Sequence, residues 1–232
     1  MSSPLPRGGG SARIRAVNDF QLMLPYLAGF LASYFLGSIP FGFLIAKARG
    51  VDIRTLGSGN IGATNVFRSL GKGPGILTFA LDFAKGLVSA LVIAAVADRL
   101  FGPVGANLPC LRLVCGAGAL VGHSFPVFLG FKGGKGVATG VGLVMGLSPA
   151  SAGIGLAVWL VVFLVGRYVS LASIAAAASV AVAAWTVMTP DPRRIVPIVI
   201  TVLCALVIAR HHANIGRLLK GTENRFSFGR RR

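Results

Sequence analysis

The sequence predicts an all-α membrane protein with seven transmembrane helices, one of them short, the N-terminus outside and the C-terminus inside. Three observations predict it. Of 232 residues, 54% are hydrophobic and only 12% charged, with a mean hydropathy of +0.78; soluble domains carry about 25% charged residues. The apolar residues fall into blocks near the roughly 20 residues that a helix needs to cross the hydrocarbon core. The cations gather between those blocks with a bias toward one face.

The spans read in order as 20–46, 78–97, 111–129, 170–188 and, shorter, Ile195–Ala209, with an uncharged run over 137–166 between the third and fourth. That run is too long for one simple crossing and contains Gly146-Leu147-Ser148-Pro149. Proline has no amide hydrogen and disfavours helix at the residue before it, so the run divides into a short membrane helix, 137–147, and a full one, 150–166. With seven crossings, segments 47–77, 130–136, 167–169 and 210–232 share the inner face and hold fifteen cations against seven on the outer face, Lys85 lying within a span. Leaving the run unsplit would put the Lys132 loop and the C-terminal tail on opposite faces. The first nineteen residues, rich in glycine, serine and proline, read as a disordered extension; 20–226 is the membrane domain and 227–232 a basic tail. The apolar segment after residue 19 is too long for a signal peptide and has no small-residue cleavage site.

A net charge of +17 in a soluble protein would suggest nucleic acid. Here no basic patch is interleaved with exposed aromatics, and the charge reads as inner-face anchoring together with binding of anionic substrates or lipid headgroups. Cys110, Cys115 and Cys204 are odd in number, lie in or beside apolar spans and have no metal-ligand spacing. With six carboxylates in the chain and no Cys/His/Asp cluster, metal-dependent and paired-carboxylate hydrolysis are poor readings, and no metal or other cofactor is expected.

Chemistry concentrates in three inner-face motifs. The first, Leu56-Gly-Ser-Gly-Asn-Ile-Gly-Ala-Thr-Asn-Val-Phe-Arg68, combines glycines, which let backbone approach a ligand, with Ser58, Asn60, Thr64 and Asn65 as neutral donors. Arg68 adds a planar fork suited to phosphate. The second, Gly122-His123-Ser-Phe-Pro126 followed by Gly130-Phe-Lys132-Gly-Gly-Lys135-Gly136, lacks the P-loop register. It nonetheless sets Lys132, Gly133, Gly134, Lys135 and Gly136 before the short helix, where free amides attract phosphate. His123 reads equally as a structural histidine or a ligand contact. The third, Arg210-His211-His212-Ala213-Asn214-Ile-Gly-Arg217, places His211 and Asn214 three apart, on one face of a continuing helix. Thr78, Asp82, Lys85 and Ser89 fall on one helical face within the second span. Charges there must face the bundle, and Asp82–Lys85 reads more readily as a structural pair than as a substrate contact.

A transporter of organic phosphates would also be basic and polytopic, but its binding groups belong near the midplane of broken helices, often in inverted repeats; here they sit at one face and no repeat is present. A lipid-binding structural protein would not need three glycine-rich motifs.

The blocks GSGNIGATNVFRSLG, GHSFPVFLGFKGGKGVATG, RYVSLASI and RHHANIGRLLKGTENRF, in order over residues 34–226, together resemble the bacterial acyl-phosphate-dependent glycerol-3-phosphate acyltransferases. The resemblance implies seven membrane helices in the bacterial cytoplasmic (inner) membrane and an active site facing the cytoplasm. It implies transfer of a fatty acyl group from acyl phosphate to the sn-1 hydroxyl of glycerol 3-phosphate, giving lysophosphatidic acid and phosphate. Membrane lipids are the surroundings, and acyl-CoA and acyl carrier protein are not used directly. It further implies that Ser58, Arg68, His211 and Asn214 are catalytic, that the Lys132–Gly136 loop handles phosphate, that Ser170 contacts substrate and that Glu223 is structural. An acyl phosphate is already activated, so alignment and charge stabilisation can carry most of the work. The base for the attacking hydroxyl is left between His211 and the donor phosphate.

Overall fold

The computed structural model describes residues 9–188 and 194–226, with side chains from Gln21 onward except that of Ala106. It is all helical: α1 Gly9–Ser38, α2 Phe41–Lys47, α3 Ala63–Leu70, α4 Lys72–Val88, α5 Ala94–Phe101, α6 Leu108–Ser124, α7 Val137–Leu147, α8 Pro149–Gly166, α9 Val169–Thr186, α10 Ile195–Ala209 and α11 His212–Leu219. Among the described residues five helical stretches are long and apolar enough to cross a membrane, and a sixth is counted if α10 and α11 form one span.

Helix α1 reaches back to Gly9, so residues 9–19 are helical where the composition suggested disorder. The reason is local: past Gly10 the segment SARIRAVND contains neither glycine nor proline, and it runs without a break into the apolar span. Residues 1–8 and the basic tail 227–232 lie outside the described residues. At the other end of α1, Pro40 follows Ile39 and cannot donate to the helix ladder, so the ladder is interrupted there, and α2 continues the same apolar span to Lys47. Helices α4 and α5 are one continuous rod, widened by a five-residue π-helical turn at Ser89–Ile93.

The split at Ser148-Pro149 is where the sequence places it. Ser148 accepts from the Ser151 amide at 3.3 Å as the N-cap of α8, and Pro149 occupies the first turn, where its missing N–H costs nothing. Helix α7 is eleven residues long, about 16 Å, or half the thickness of a hydrocarbon core. It is held between α4, α6 and α8.

Two helix pairs approach closely because glycines face a partner's backbone. In α1 against α6, a Cβ on Gly37 would overlap the Ala119 carbonyl and one on Gly122 would overlap the Tyr34 carbonyl. In α4 against α7, Gly86 meets the Thr139 carbonyl and Gly142 meets the Phe83 carbonyl in the same way. The main apolar core, including Leu113, Leu120, Leu143, Val180 and Ile200, lies among α6 to α10. Leu27, Phe35, Leu160, Val165 and Val202 stay exposed on the outer surface, as expected of side chains that face lipid.

The polar side chains of α4 lie on the face the spacing indicated: Thr78, Asp82, Lys85 and Ser89 are all buried. The third motif departs from expectation. Helix α10 ends at Ala209 and α11 begins at His212, with a 56° bend between them. His211 and Asn214 are both buried, but through the kink and not along one straight helix.

Candidate active site

Four separated segments meet at one end of the bundle: the loop before α3, the loop before α7, the α8–α9 turn, and α11 with the strand of chain after it. The contacts that join them are polar and specific.

Glu223 is the hub. Its Oε1 accepts from the Ser170 hydroxyl and from Asn214 Nδ2, both at 2.8 Å, and its Oε2 accepts from Arg217 Nε at 2.7 Å. Burial works to raise its pKa, but the hydrogen bonds from Asn214, Ser170 and Arg217 outweigh it and hold Glu223 below the ordinary glutamate value. With Nδ2 committed to Glu223, the Asn214 amide has one orientation, and its Oδ1 accepts from Lys135 Nζ at 2.5 Å. Lys135 is therefore aimed into the cluster by the Asn214 amide, which Glu223 orients. Its pKa is pushed down to about 8, first by burial and then by Arg217, Arg68 and Arg210, with Glu223 opposing.

The two loop lysines part company here. Lys135 is drawn inward, whereas Lys132 is exposed at the outer edge of the loop. The backbone between them is held from two sides. Arg210 donates to the carbonyls of Gly133 and Gly134 at 3.0–3.2 Å while its guanidinium lies 5.1 Å from the Phe125 ring centre. From beneath, the Gly134 amide donates to the His123 carbonyl at 3.0 Å. Gly136 takes the left-handed conformation, φ +83°, as it starts α7. The expectation that these glycines offer a run of free amides is thus corrected at Gly134, whose N–H is used inside the protein.

The first loop is built around one side chain. Asn65, almost wholly buried, accepts from the Ser58 amide at 2.9 Å through Oδ1. Its Nδ2 donates to the carbonyls of Ile53, Leu56 and Asn60 at 3.3, 3.0 and 2.9 Å. Asn65 therefore shapes the loop and has no polar group left for substrate, contrary to the sequence expectation. The same correction applies in part to Ser170, whose hydroxyl proton goes to Glu223. Asn60 accepts from the Gly62 amide at 2.9 Å, and Ser58 and Thr64 are exposed at the loop surface. Arg68 is exposed as well, its Nη2 3.4 Å from the Asn224 carbonyl.

His211 points Nδ1 at the Val207 carbonyl, 2.8 Å away. A carbonyl can only accept, so Nδ1 carries the hydrogen and Nε2 the lone pair. Burial, first among the causes, lowers this ring's pKa to about 4, so it is neutral at pH 7 and a weak base.

After Glu223 the chain closes across the cluster. The Phe226 amide donates to the Arg167 carbonyl at 2.7 Å, and the Phe226 ring sits 6.1 Å from Phe67 and 5.5 Å from Phe163. An apolar groove of about 540 Å³ has Gly136, the residue after Lys135, in its wall and is lined mainly by α7, α8, α9 and α10, with Val144, Leu156, Val180 and Leu203 among its walls. Sequence reasoning did not single out Arg210 or Arg217 as site residues, although both stand in the third motif.

Fold and site together define a class: a multi-pass helical membrane protein with a cation- and amide-rich cluster at one end of its bundle and an apolar groove opening beside it. Within that class the chain belongs to the glycerol-3-phosphate acyltransferase family, whose family model matches residues 27–221. It is 49% identical over 194 residues to the glycerol-3-phosphate acyltransferase of Aquifex aeolicus (84% of this chain, 95% of that protein). Against the enzyme of Geotalea daltonii it is 46% identical over 197 residues, again 84% and 95%. Among solved structures it resembles the integral membrane glycerol 3-phosphate acyltransferase PlsY (YgiH) in its glycerol 3-phosphate form. The TM-score is 0.76 at 46% identity, covering 87% of this chain and 96% of that one. The lysophosphatidic acid form of PlsY matches with a TM-score of 0.75. This chain is accordingly a membrane-integral acyltransferase of phospholipid biosynthesis.

Proposed function

We propose that the enzyme moves a fatty acyl group from acyl phosphate to the sn-1 hydroxyl of glycerol 3-phosphate, releasing lysophosphatidic acid and inorganic phosphate. The observation that carries this reading is the junction at Gly136. On one side of it stands Lys135, set by Asn214 and Glu223, and Gly136 itself lines the apolar groove. Such a junction suits a molecule with an alkyl chain and a phosphate joined at one carbonyl. Relatives solved with glycerol 3-phosphate and with lysophosphatidic acid support the acceptor and the product.

In this reading the acyl chain lies in the groove and its carbonyl stands near Lys135. Arg68, Lys135 and, at the mouth, Lys132 face the phosphates, with Ser58, Asn60, Thr64 and the Gly133–Gly136 backbone beside them. Asn214 and Ser170 serve chiefly by setting Lys135 and Glu223. The hydroxyl oxygen attacks the acyl carbon, the carbon–oxygen bond to phosphate breaks, and phosphate leaves with its electron pair. The hydroxyl proton needs an acceptor. His211, held down to about 4, is a poor one, which favours the oxygen of the departing phosphate over the imidazole.

The same proposal includes seven crossings, α7 being the short one, with the N-terminus outside and the site facing the cytoplasm across the inner membrane. The asymmetry of cations supports it. Two experiments test it. Purified protein given glycerol 3-phosphate should form lysophosphatidic acid with acyl phosphate and little with acyl-CoA; the reverse preference sinks the donor assignment. Cysteines placed at 72, 132, 168 and 220 should label from the same side of sealed vesicles, and opposite labelling of 132 and 220 removes the seven-crossing topology.

A further inference from the structure

Three charged or titratable side chains are buried in the membrane-spanning part of the bundle, beneath the site. Asp82 and Lys85 lie on α4 and His123 near the end of α6, exposed by 2%, 2% and 5%. Lys85 Nζ stands 2.9 Å from Asp82 Oδ1, an ion pair without good hydrogen-bond angles. It also donates to the carbonyls of Gly37 and Ile39 at 2.9 and 3.2 Å. Both carbonyls lie at the break before Pro40, and that of Ile39 also accepts from the Phe41 amide at 3.1 Å. His123 turns Nδ1 toward the same Asp82 oxygen at 3.5 Å, near it but without a formed hydrogen bond. Its other ring nitrogen packs on Gly134, where a Cβ would overlap Nε2, and its carbonyl accepts from the Gly134 amide.

Burying such groups in a membrane is costly, and those that persist pair with one another or with backbone carbonyls and mark functional positions. What this array touches at its two ends is telling: the broken end of α1 and the glycine loop that carries Lys135. Arg210 holds the same loop from the opposite side through the carbonyls of Gly133 and Gly134.

We propose that the Lys85–Asp82–His123 array positions the 132–136 loop, with His123 as the seat on which Gly134 rests and Arg210 as the clasp above it. Asp82 fixes the ring, Lys85 fixes Asp82 and ties both to the α1–α2 break, and the ring fixes the height of the loop. Lys135 reaches Asn214 only from that height. Gly134 is then required because the seat is an imidazole ring with no room for a side chain above it. The proposal concerns the loop; its effect on turnover rests on the reading that the loop meets a phosphate.

The test uses His123→Leu, His123→Asn and His123→Gln in the full chain, with two readouts. One is kcat/KM for the acyl transfer. The other is the pH midpoint for acetylation of Lys135 in competitive labelling with acetic anhydride, read by peptide mass. The groups that act on Lys135 are Asn214, Glu223, Arg217, Arg68 and Arg210, and none of them changes in these variants. In the unaltered protein the midpoint should fall near 8. In His123→Leu the loop loosens, the midpoint climbs toward the ordinary lysine value of about 10.4, and kcat/KM drops by about 10²-fold, as for a displacement of roughly 1 Å. His123→Asn keeps a polar group where Nδ1 stands but lacks the ring edge on which Gly134 rests, and should restore little of either readout. If His123→Leu does not purify, His123→Asn replaces it; His123→Gln, whose amide reaches the Nε2 position beneath Gly134, should restore more than Asn. An unchanged midpoint in His123→Leu, or equal behaviour of Asn and Gln, overturns the proposal even where thermal stability falls. Should Lys135→Ala stay active while the midpoint still moves in the His123 variants, the phosphate reading fails and the positioning role stands.

Discussion

The two glycine-rich loops at the site do similar work by different means. The first, before α3, is shaped from within: Asn65, seven residues along the chain, holds the Ser58 amide and three loop carbonyls. The second, before α7, has no such internal residue. It is seated on His123 of α6 and clasped by Arg210 after α10, and its lysine is aimed by Asn214 of α11. A loop that carries its own support keeps its shape whatever its neighbours do. A loop supported from outside is correct only when the bundle is assembled, so its geometry reports the packing of helices far apart in sequence.

The largest effect follows from removing the internal support. Asn65→Ala strands one amide and three carbonyls near the surface, each of which costs up to about 1–3 kcal/mol if water does not replace the amide. Because Ser58 is displaced along with the loop backbone, kcat/KM should fall by more than about 10²-fold. Asn65→Asp should not rescue it: the carboxylate keeps the acceptor for Ser58 but offers no hydrogen to the carbonyls of Ile53, Leu56 and Asn60. Full activity in either variant would show that the first loop, like the second, is held from elsewhere.

The second loop breaks at its lysine. Lys135→Ala removes a charge-assisted contact to phosphate worth about 1.5–3 kcal/mol, or roughly 10- to 150-fold in kcat/KM. The pH dependence sharpens this. With a pKa of about 8, Lys135 is charged below that value and neutral above it. KM for the phosphate it holds should therefore rise as pH passes 8, by roughly tenfold per unit. Lys135→Arg, charged throughout, should lose that dependence even if its planar head fits less well. A flat profile in the unaltered enzyme would remove Lys135 from phosphate binding.

The contrast between the loops also explains what could be read from the chain. Helix content, the division at Ser148-Pro149 and the buried face of α4 follow from hydropathy, proline chemistry and spacing, all of them local. The first motif read as a glycine-rich loop that meets a ligand, with Asn65 among its donors, and the backbone role of Asn65 was not legible: an asparagine that organises backbone and one that binds substrate have the same neighbours in sequence. For the second motif, the seat and the clasp come from residues eleven positions before Gly134 and 76 after it. No periodicity connects those positions. The bend between Ala209 and His212 escaped the sequence because neither proline nor glycine marks it. Lys132 and Lys135 looked equivalent for the same reason, since their difference lies in what they meet.

That difference gives the smallest and most discriminating effect. Lys132 and Lys135 share one loop, flank the same two glycines and carry the same charge. Lys135 is drawn inward to Asn214, while Lys132 is exposed to solvent. Water and salt screen an exposed charge, which contributes at most about 1 kcal/mol, equivalent to roughly fivefold. Lys132→Ala should therefore change kcat/KM by no more than about fivefold, and the change should shrink further as ionic strength rises, because screening already weakens what the lysine supplies. Lys135→Ala should show no such relief, since its partner groups exclude most of the solvent. Steady-state kinetics of the two variants at low and high salt make the comparison. If Lys132→Ala is as damaging as Lys135→Ala and equally indifferent to salt, then the loop turns Lys132 onto the substrate when it binds, and the second loop moves during the reaction in a way the first, pinned by Asn65, does not.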